Sequence, residues 1–209
     1  MTQTAGIPDL MAITDRRLCG GASGLRRWAL SLPAGTAIQL REKDLEPEAL
    51  IEIGRTLRTV AAGLLIVNGS VDVAVSCGAD GVHLRSDQPW DEVAPSVRRQ
   101  GLLLGVSTHS HREIGAAVAA GADYALFGPV FASPEKTRYG APQGLERLER
   151  AARGDLPVLA VGGVDACNAA LLARAGAYGV AAIRAFAQPD TATALTSAWA
   201  IATGTIPAS

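Results

Sequence analysis

Three times along this chain an Ala/Leu-rich segment closes on Gly-Ala, and an apolar run opens two residues later. The phrases are "SCGADGVHL" (76–84), "AAGADYALF" (119–127) and "RAGAYGVAAI" (174–183). No other feature limits the fold as strongly. Glycine suits the left-handed position that ends a helix, and a strand can then begin almost at once. Each phrase is therefore a helix-to-strand joint, and their spacing is an irregular echo rather than a tandem repeat.

Candidate strands bracket these joints at 10–14, 37–41, 63–68, 81–84, 102–107, 124–128, 157–162 and 179–183. Helical spacing fills the intervals near 21–31, 47–61, 70–77, 89–99, 110–120, 143–153, 165–175 and 190–201. Both faces of the strands are apolar, as expected of a parallel sheet covered by helices. Eight such units in about 200 residues predict an α/β fold, a (β/α)8 TIM barrel. The barrel is expected as a single domain over 1–209, with its core at about 10–201. A doubly wound open sheet is the competing architecture.

Composition narrows the function. Hydrophobic residues make up 48% of the chain but aromatics only 4%, so the core is aliphatic. Acids (20) and bases (19) nearly cancel, which argues against a nucleic-acid partner. The three cysteines, Cys19, Cys77 and Cys167, form no paired motif, so neither a disulfide framework nor a zinc knuckle is expected. No apolar stretch reaches the roughly 18 residues that span a bilayer. The first ten residues lack the basic and apolar regions of a secretory signal. Together these predict a cytoplasmic protein with no membrane partner; an aliphatic barrel surface is compatible with a homo-oligomer.

In a barrel of this kind, the loops after the strands form the catalytic mouth. The strand ends offer Arg41 and Lys43, Asn68, His83 and Arg85, Ser107 and His109, Gly162-Gly163, and Ile183-Arg184. Arg41 and Lys43 share one side of an extended chain and suit an anionic ligand; pairing with Glu42 or Asp44 is the plainer alternative. Gly162 and Gly163 allow close backbone approach to an oxyanion, and loops seven and eight are the usual phosphate grip of this fold. Arg184 could add a charge-assisted bond to the same group. His109 is of the residue type best suited to both taking and giving a proton in acid–base chemistry, unless it serves as a cap. His83 stays open between structural and functional roles, His111 is expected in solvent, and Cys77 reads as a small buried apolar residue.

Beyond single motifs, the stretches "AITDRRL", "IQLREKDL", "LLIVNGSVDVAVSCGADGVHL", "LGVSTHSHREIGAAVAAGADYALFGPVF" and "LAVGGVDACNAALLARAGAYGVAAI" resemble the thiamine-phosphate synthase and TenI superfamily from about residue 10 to 186. The resemblance implies a (β/α)8 barrel and a small phosphorylated thiazole-type substrate. In the synthase pattern, strand three ends in Asn-Asp and a second Asp follows strand four, carrying the Mg2+ that clamps a departing pyrophosphate. Here those positions read Gly69 and Gln88, with Asp87 one place early. The synthase's Thr-x-Thr-Lys after strand six reads "SPEK", with Ser133, Glu135 and Lys136.

"IVNGSVDVA" is instead similar to the metal-free thiazole tautomerase branch. That likeness makes the expected function an isomerase, moving a proton on a carboxylated dihydrothiazole phosphate, with no metal and no cofactor. His109 would be its acid and base. Arg41, Lys43, Asn68, Ser107 and Lys136 would hold the substrate, and Gly162, Gly163, Ile183 and Arg184 its phosphate. Two alternatives stay open. One is thiamine-phosphate synthase, with Mg2+, joining hydroxymethylpyrimidine pyrophosphate and thiazole phosphate; the other is a non-catalytic protein that binds a phosphorylated metabolite.

Overall fold

The computed structural model describes residues 6–132 and 141–205. Eight parallel strands close into a barrel in chain order: β1 (Leu10–Ile13), β2 (Ala37–Leu40), β3 (Leu65–Asn68), β4 (Gly81–Leu84), β5 (Leu103–Thr108), β6 (Tyr124–Phe127), β7 (Val158–Val161) and β8 (Gly179–Ala182). The helices between them are α1 (Ala22–Ser31), α2 (Pro47–Arg58), α3 (Val71–Cys77), α4 (Trp90–Arg99), α5 (His111–Ala120), α6 (Gly144–Ala151), α7 (Ala169–Arg174) and α8 (Pro189–Ala202). A short 3-10 turn, Arg184–Phe186, separates β8 from α8. The expected (β/α)8 TIM barrel is the observed fold. No described helix is long and apolar enough to cross a membrane.

Strand alternation divides the core in two. Leu10, Ile38, Val82 and Phe127 point outward into a large cluster shared with the helices. The alternate residues Met11, Ile13, Ile66, Tyr124, Leu126, Leu159 and Ala181 form a separate cluster, which fills the barrel. With period two, the inward series of four consecutive strands ends on polar groups: Gln39, Asn68, His83 and Ser107. This layer floors the mouth.

The joints behave as their sequence implies. Gly78 and Gly121 end α3 and α5 in the left-handed conformation (φ 70° and 72°). The Asp that follows ties the N-terminal rim together: Asp80 accepts from the Leu65 backbone N–H at 2.8 Å, and Asp123 from that of Leu104 at 2.7 Å. Arg58 pairs with Asp80. Cys77 is buried and His111 exposed, and all three cysteines are free.

One helix departs from expectation. The segment predicted to turn helical at 165 does so only at Ala169. Asp165 Oδ1 accepts from the backbone N–H groups of Cys167 and Asn168, while Asn168 Oδ1 accepts from that of Asp165. These local bonds compete with helix formation and delay it by one turn. The helix therefore does not start directly behind Gly162-Gly163.

Candidate functional site

Two cavities adjoin at the C-terminal mouth. A central one of about 340 Å³ contains Arg41, Lys43, Asn68, Ser107 and His109 among its walls. A second, of about 570 Å³, is bordered by Gly162, Gly163 and Arg184. Val161 and Ile183 line both. Every expected site residue within the described chain thus reaches one of two contiguous spaces. Lys136, with Ser133 and Glu135, lies outside the described residues.

The loop after β2 turns its acids away from the cavity. Arg16 takes up Glu42 (3.1 Å) and, through both terminal nitrogens, Asp44 (2.6 and 2.9 Å), and Arg17 adds a third bond to Asp44. The hydrogen bond from Arg16 holds the Asp44 carboxyl well below the usual carboxylate range. Arg41 and Lys43, which alternate with these acids along the chain, line the cavity. Glu42 and Asp44 make these ion pairs with the loop after β1.

Beneath them lies the polar floor. Asn68 Nδ2 donates to Gln39 Oε1 at 3.4 Å, and Gln39 Nε2 reaches Met11 Sδ at 3.4 Å. His83 is fully buried, with Nε2 2.9 Å from Ser107 Oγ and Nδ1 3.3 Å from the Tyr124 hydroxyl. Burial first, then the positive charge of Arg41, pushes its pKa down to about 3, so the ring is neutral at cell pH. Burial also pushes the Tyr124 phenol up and keeps it protonated. The assignment that satisfies each buried proton has Tyr124 O–H donating to Nδ1 and Nε2–H donating to Ser107 Oγ. Ser107 then keeps its own proton to offer into the cavity.

His109 stands at the rim. Its Nδ1–H donates to the Gly128 carbonyl and its backbone N–H to Glu113. Nε2 is thereby an acceptor, 3.4 Å from Ser86 Oγ. Reading strand ends alone missed Gln39 and Ser86 as cavity residues and left His83 and Arg85 without a role, although all four line the central space. Stepping back by two from Arg41 would have found Gln39.

The turns after β3 and β4 differ sharply from a cation site. Gly69 has φ +86°, and a Cβ placed there would stand 3.4 Å from Arg85 Nη1. Gln88 Oε1 accepts from the Arg85 N–H at 2.8 Å, and its Nε2 donates to the Gly69 carbonyl at 2.9 Å. Only an amide can make both bonds, so Gln88 works as a clip between the two turns. Asp87 is paired with Arg85 Nε at 2.9 Å. Among the described residues no three His, Cys, Asp or Glu side chains gather where a metal could sit. The Mg2+ that the synthase pattern implies does not fit this corner: one oxygen donor is missing, one is spent on backbone, and a guanidinium faces the space. Replacing Gln88 by Glu is expected to leave the Gly69 carbonyl unpartnered and lower folding stability by about 1–2 kcal/mol, readable by urea denaturation.

Comparison with known proteins extends the geometry. Residues 10–186 match the family described as thiamine monophosphate synthase. A thiamine-phosphate synthase of Roseiflexus castenholzii is 43% identical over 178 residues, covering 83% of this chain and 78% of the relative. That of Methanoregula boonei is 39% identical over 188 residues, covering 87% of each. Among solved structures, a thiamine phosphate pyrophosphorylase of Pyrococcus furiosus superposes with a TM-score of 0.80 at 32% identity, covering 96% of this chain and 97% of that one. These relatives overturn the expected tautomerase function. The expectation leaned on Gly69, Gln88 and the "SPEK" run, whereas the likeness to synthases runs through the entire barrel. With the fold, the mouth and this likeness in agreement, the chain belongs to the thiamine monophosphate synthase family.

Proposed function

We propose that the protein is a transferase of the thiamine-phosphate synthase type, joining hydroxymethylpyrimidine pyrophosphate to a thiazole phosphate. The observation that carries this reading is the pair of contiguous cavities. A two-substrate condensation needs two anion-holding spaces that meet, and these share Val161 and Ile183. In the reaction, the carbon–oxygen bond to pyrophosphate breaks with its electron pair on the leaving oxygen. A bond from the thiazole ring nitrogen to that carbon forms.

In this reading the second cavity holds the thiazole phosphate, with Gly162 and Gly163 allowing close backbone approach and Arg184 adding charge. Ile183, on the shared wall, packs against the ring. The central cavity takes the pyrimidine pyrophosphate, its charge facing Arg41 and Lys43. Asn68, braced by Gln39, orients the pyrimidine. His109 offers an acceptor at Nε2, and Ser107 donates its hydroxyl proton as a hydrogen bond where negative charge develops.

The test is incubation of the purified protein with both substrates, following thiamine phosphate and released pyrophosphate together. Equal amounts of the two products are expected. The absence of either product with folded protein would sink the reading. Ser107→Ala is expected to lower kcat about a hundredfold while leaving KM within about threefold, as for the loss of one preorganised donor.

A further inference from the structure

We propose that Arg85 takes the place of a divalent cation at the β3–β4 corner of the mouth, so that a diphosphate group is received there directly by a guanidinium. The inference rests on the transferase reading for the identity of the diphosphate. Its structural basis is independent of that reading.

Three observations converge. First, the glycine at 69 removes a side chain where the family pattern has a carboxylate, and Arg85 Nη1 lies 3.4 Å from where its Cβ would stand. Where the pattern places a negative donor, the edge of a guanidinium from another residue now stands. Second, the guanidinium is held in place. Its Nε donates to Asp87 Oδ1 at 2.9 Å and Nη2 to Asp87 Oδ2 at 3.5 Å, which leaves Nη1 as the edge nearest Gly69. The Arg85 backbone is fixed at both ends: its N–H by Gln88 at 2.8 Å and its carbonyl by Trp90 Nε1 at 2.8 Å. Third, Arg85 lines the same cavity as Arg41 and Lys43, so three cationic side chains surround one space.

A guanidinium presents N–H donors in a fixed fork that matches phosphate oxygens, and it keeps its charge at any cell pH. A diphosphate carries several negative charges and would be balanced by this trio. A hard dication at the same corner would be repelled by Nη1 and would find neither expected carboxylate. Asp87 is both the brace for the guanidinium and a partial counter-charge, and the incoming anion competes with it for the outer face.

The test is calorimetric titration of the purified protein with inorganic pyrophosphate, in EDTA and then in Mg2+. The parent is expected to bind in EDTA, with Kd changing less than about threefold on adding Mg2+. Arg85→Gln, which keeps length and hydrogen bonding but loses charge, is expected to weaken metal-free binding by about tenfold or more. Arg85→Lys is expected to recover part of it, with melting curves reporting that both variants fold. Binding that appears only with Mg2+, or that is unchanged in Arg85→Gln, would overturn the proposal. Failure here is separable from failure of the transferase reading. Condensation of the two substrates without metal-free pyrophosphate binding removes the role of Arg85 and leaves the reaction. Metal-free binding lost in Arg85→Gln, with no condensation, does the reverse.

Discussion

Gly105→Ala is expected to lower folding stability by about 3 kcal/mol and the melting temperature by about 6–12 °C. The reason is space rather than backbone conformation. A Cβ on residue 105 would stand 2.1 Å from Tyr124 Cζ and 2.3 Å from its hydroxyl oxygen. The two residues are register partners on β5 and β6, both facing into the barrel. Tyr124 is fully buried and belongs to the cluster that fills the barrel, so its ring has no room to swing aside. Displacing it also removes the hydroxyl that pairs with His83. Urea denaturation and thermal melting would check the size of the loss. A double-mutant cycle with Tyr124→Leu should recover part of it, because the smaller side chain makes room for the added methyl. Melting of Gly105→Ala within about 2 °C of the parent would show that the ring is not confined as described.

Acid should act on the same cluster through His83. In the folded protein its pKa is pushed down to about 3, whereas the unfolded chain takes up the proton near its ordinary 6.5. Between those values the unfolded state binds more protons, so stability rises with pH across the window and is lost on acidification through it. The expected slope is roughly 1 kcal/mol per pH unit below about 6.5, levelling off near the folded value. Carboxylates such as Asp44 and Asp87, both lowered by arginine partners, add acid sensitivity of their own. The difference between the parent and His83→Gln isolates the histidine: the variant should show a visibly shallower dependence between about pH 4 and 6.5. Parallel curves would mean that His83 is not buried as a neutral ring.

The barrel was legible because the strands are short apolar runs separated by glycine-ended helices; "GVHL" is strand over the same four residues in both readings. The site was legible at its rim and less so at its floor. Arg41, Asn68, Ser107 and His109 fall at strand ends, where this fold collects chemistry. Gln39 sits one pleat deeper, inside the strand rather than at its end, and alternation is what turns it into the barrel. His83 was visible, but its neutrality comes from burial inside the closed barrel and from the charge of Arg41 on another strand's loop, neither of which its own segment displays. Function was misread for a different reason. The Gly69 turn is a real departure, yet its meaning depends on Arg85 and Gln88 folding over it, a contact that no motif records. Asp165 and Asn168 likewise hide the late start of α7, since each favours both a helix start and a local turn.

The side-chain fastenings at the opposite rim bear on how this departure arose. Asp80 and Asp123 lash neighbouring strands together on the face away from the mouth. Anchorage and chemistry are thus lodged at different poles of the cylinder. A lineage can trade an acid for a glycine and a base at one pole while the staves stay bound at the other, so the scaffold tolerates experiment in its charge pattern without coming apart.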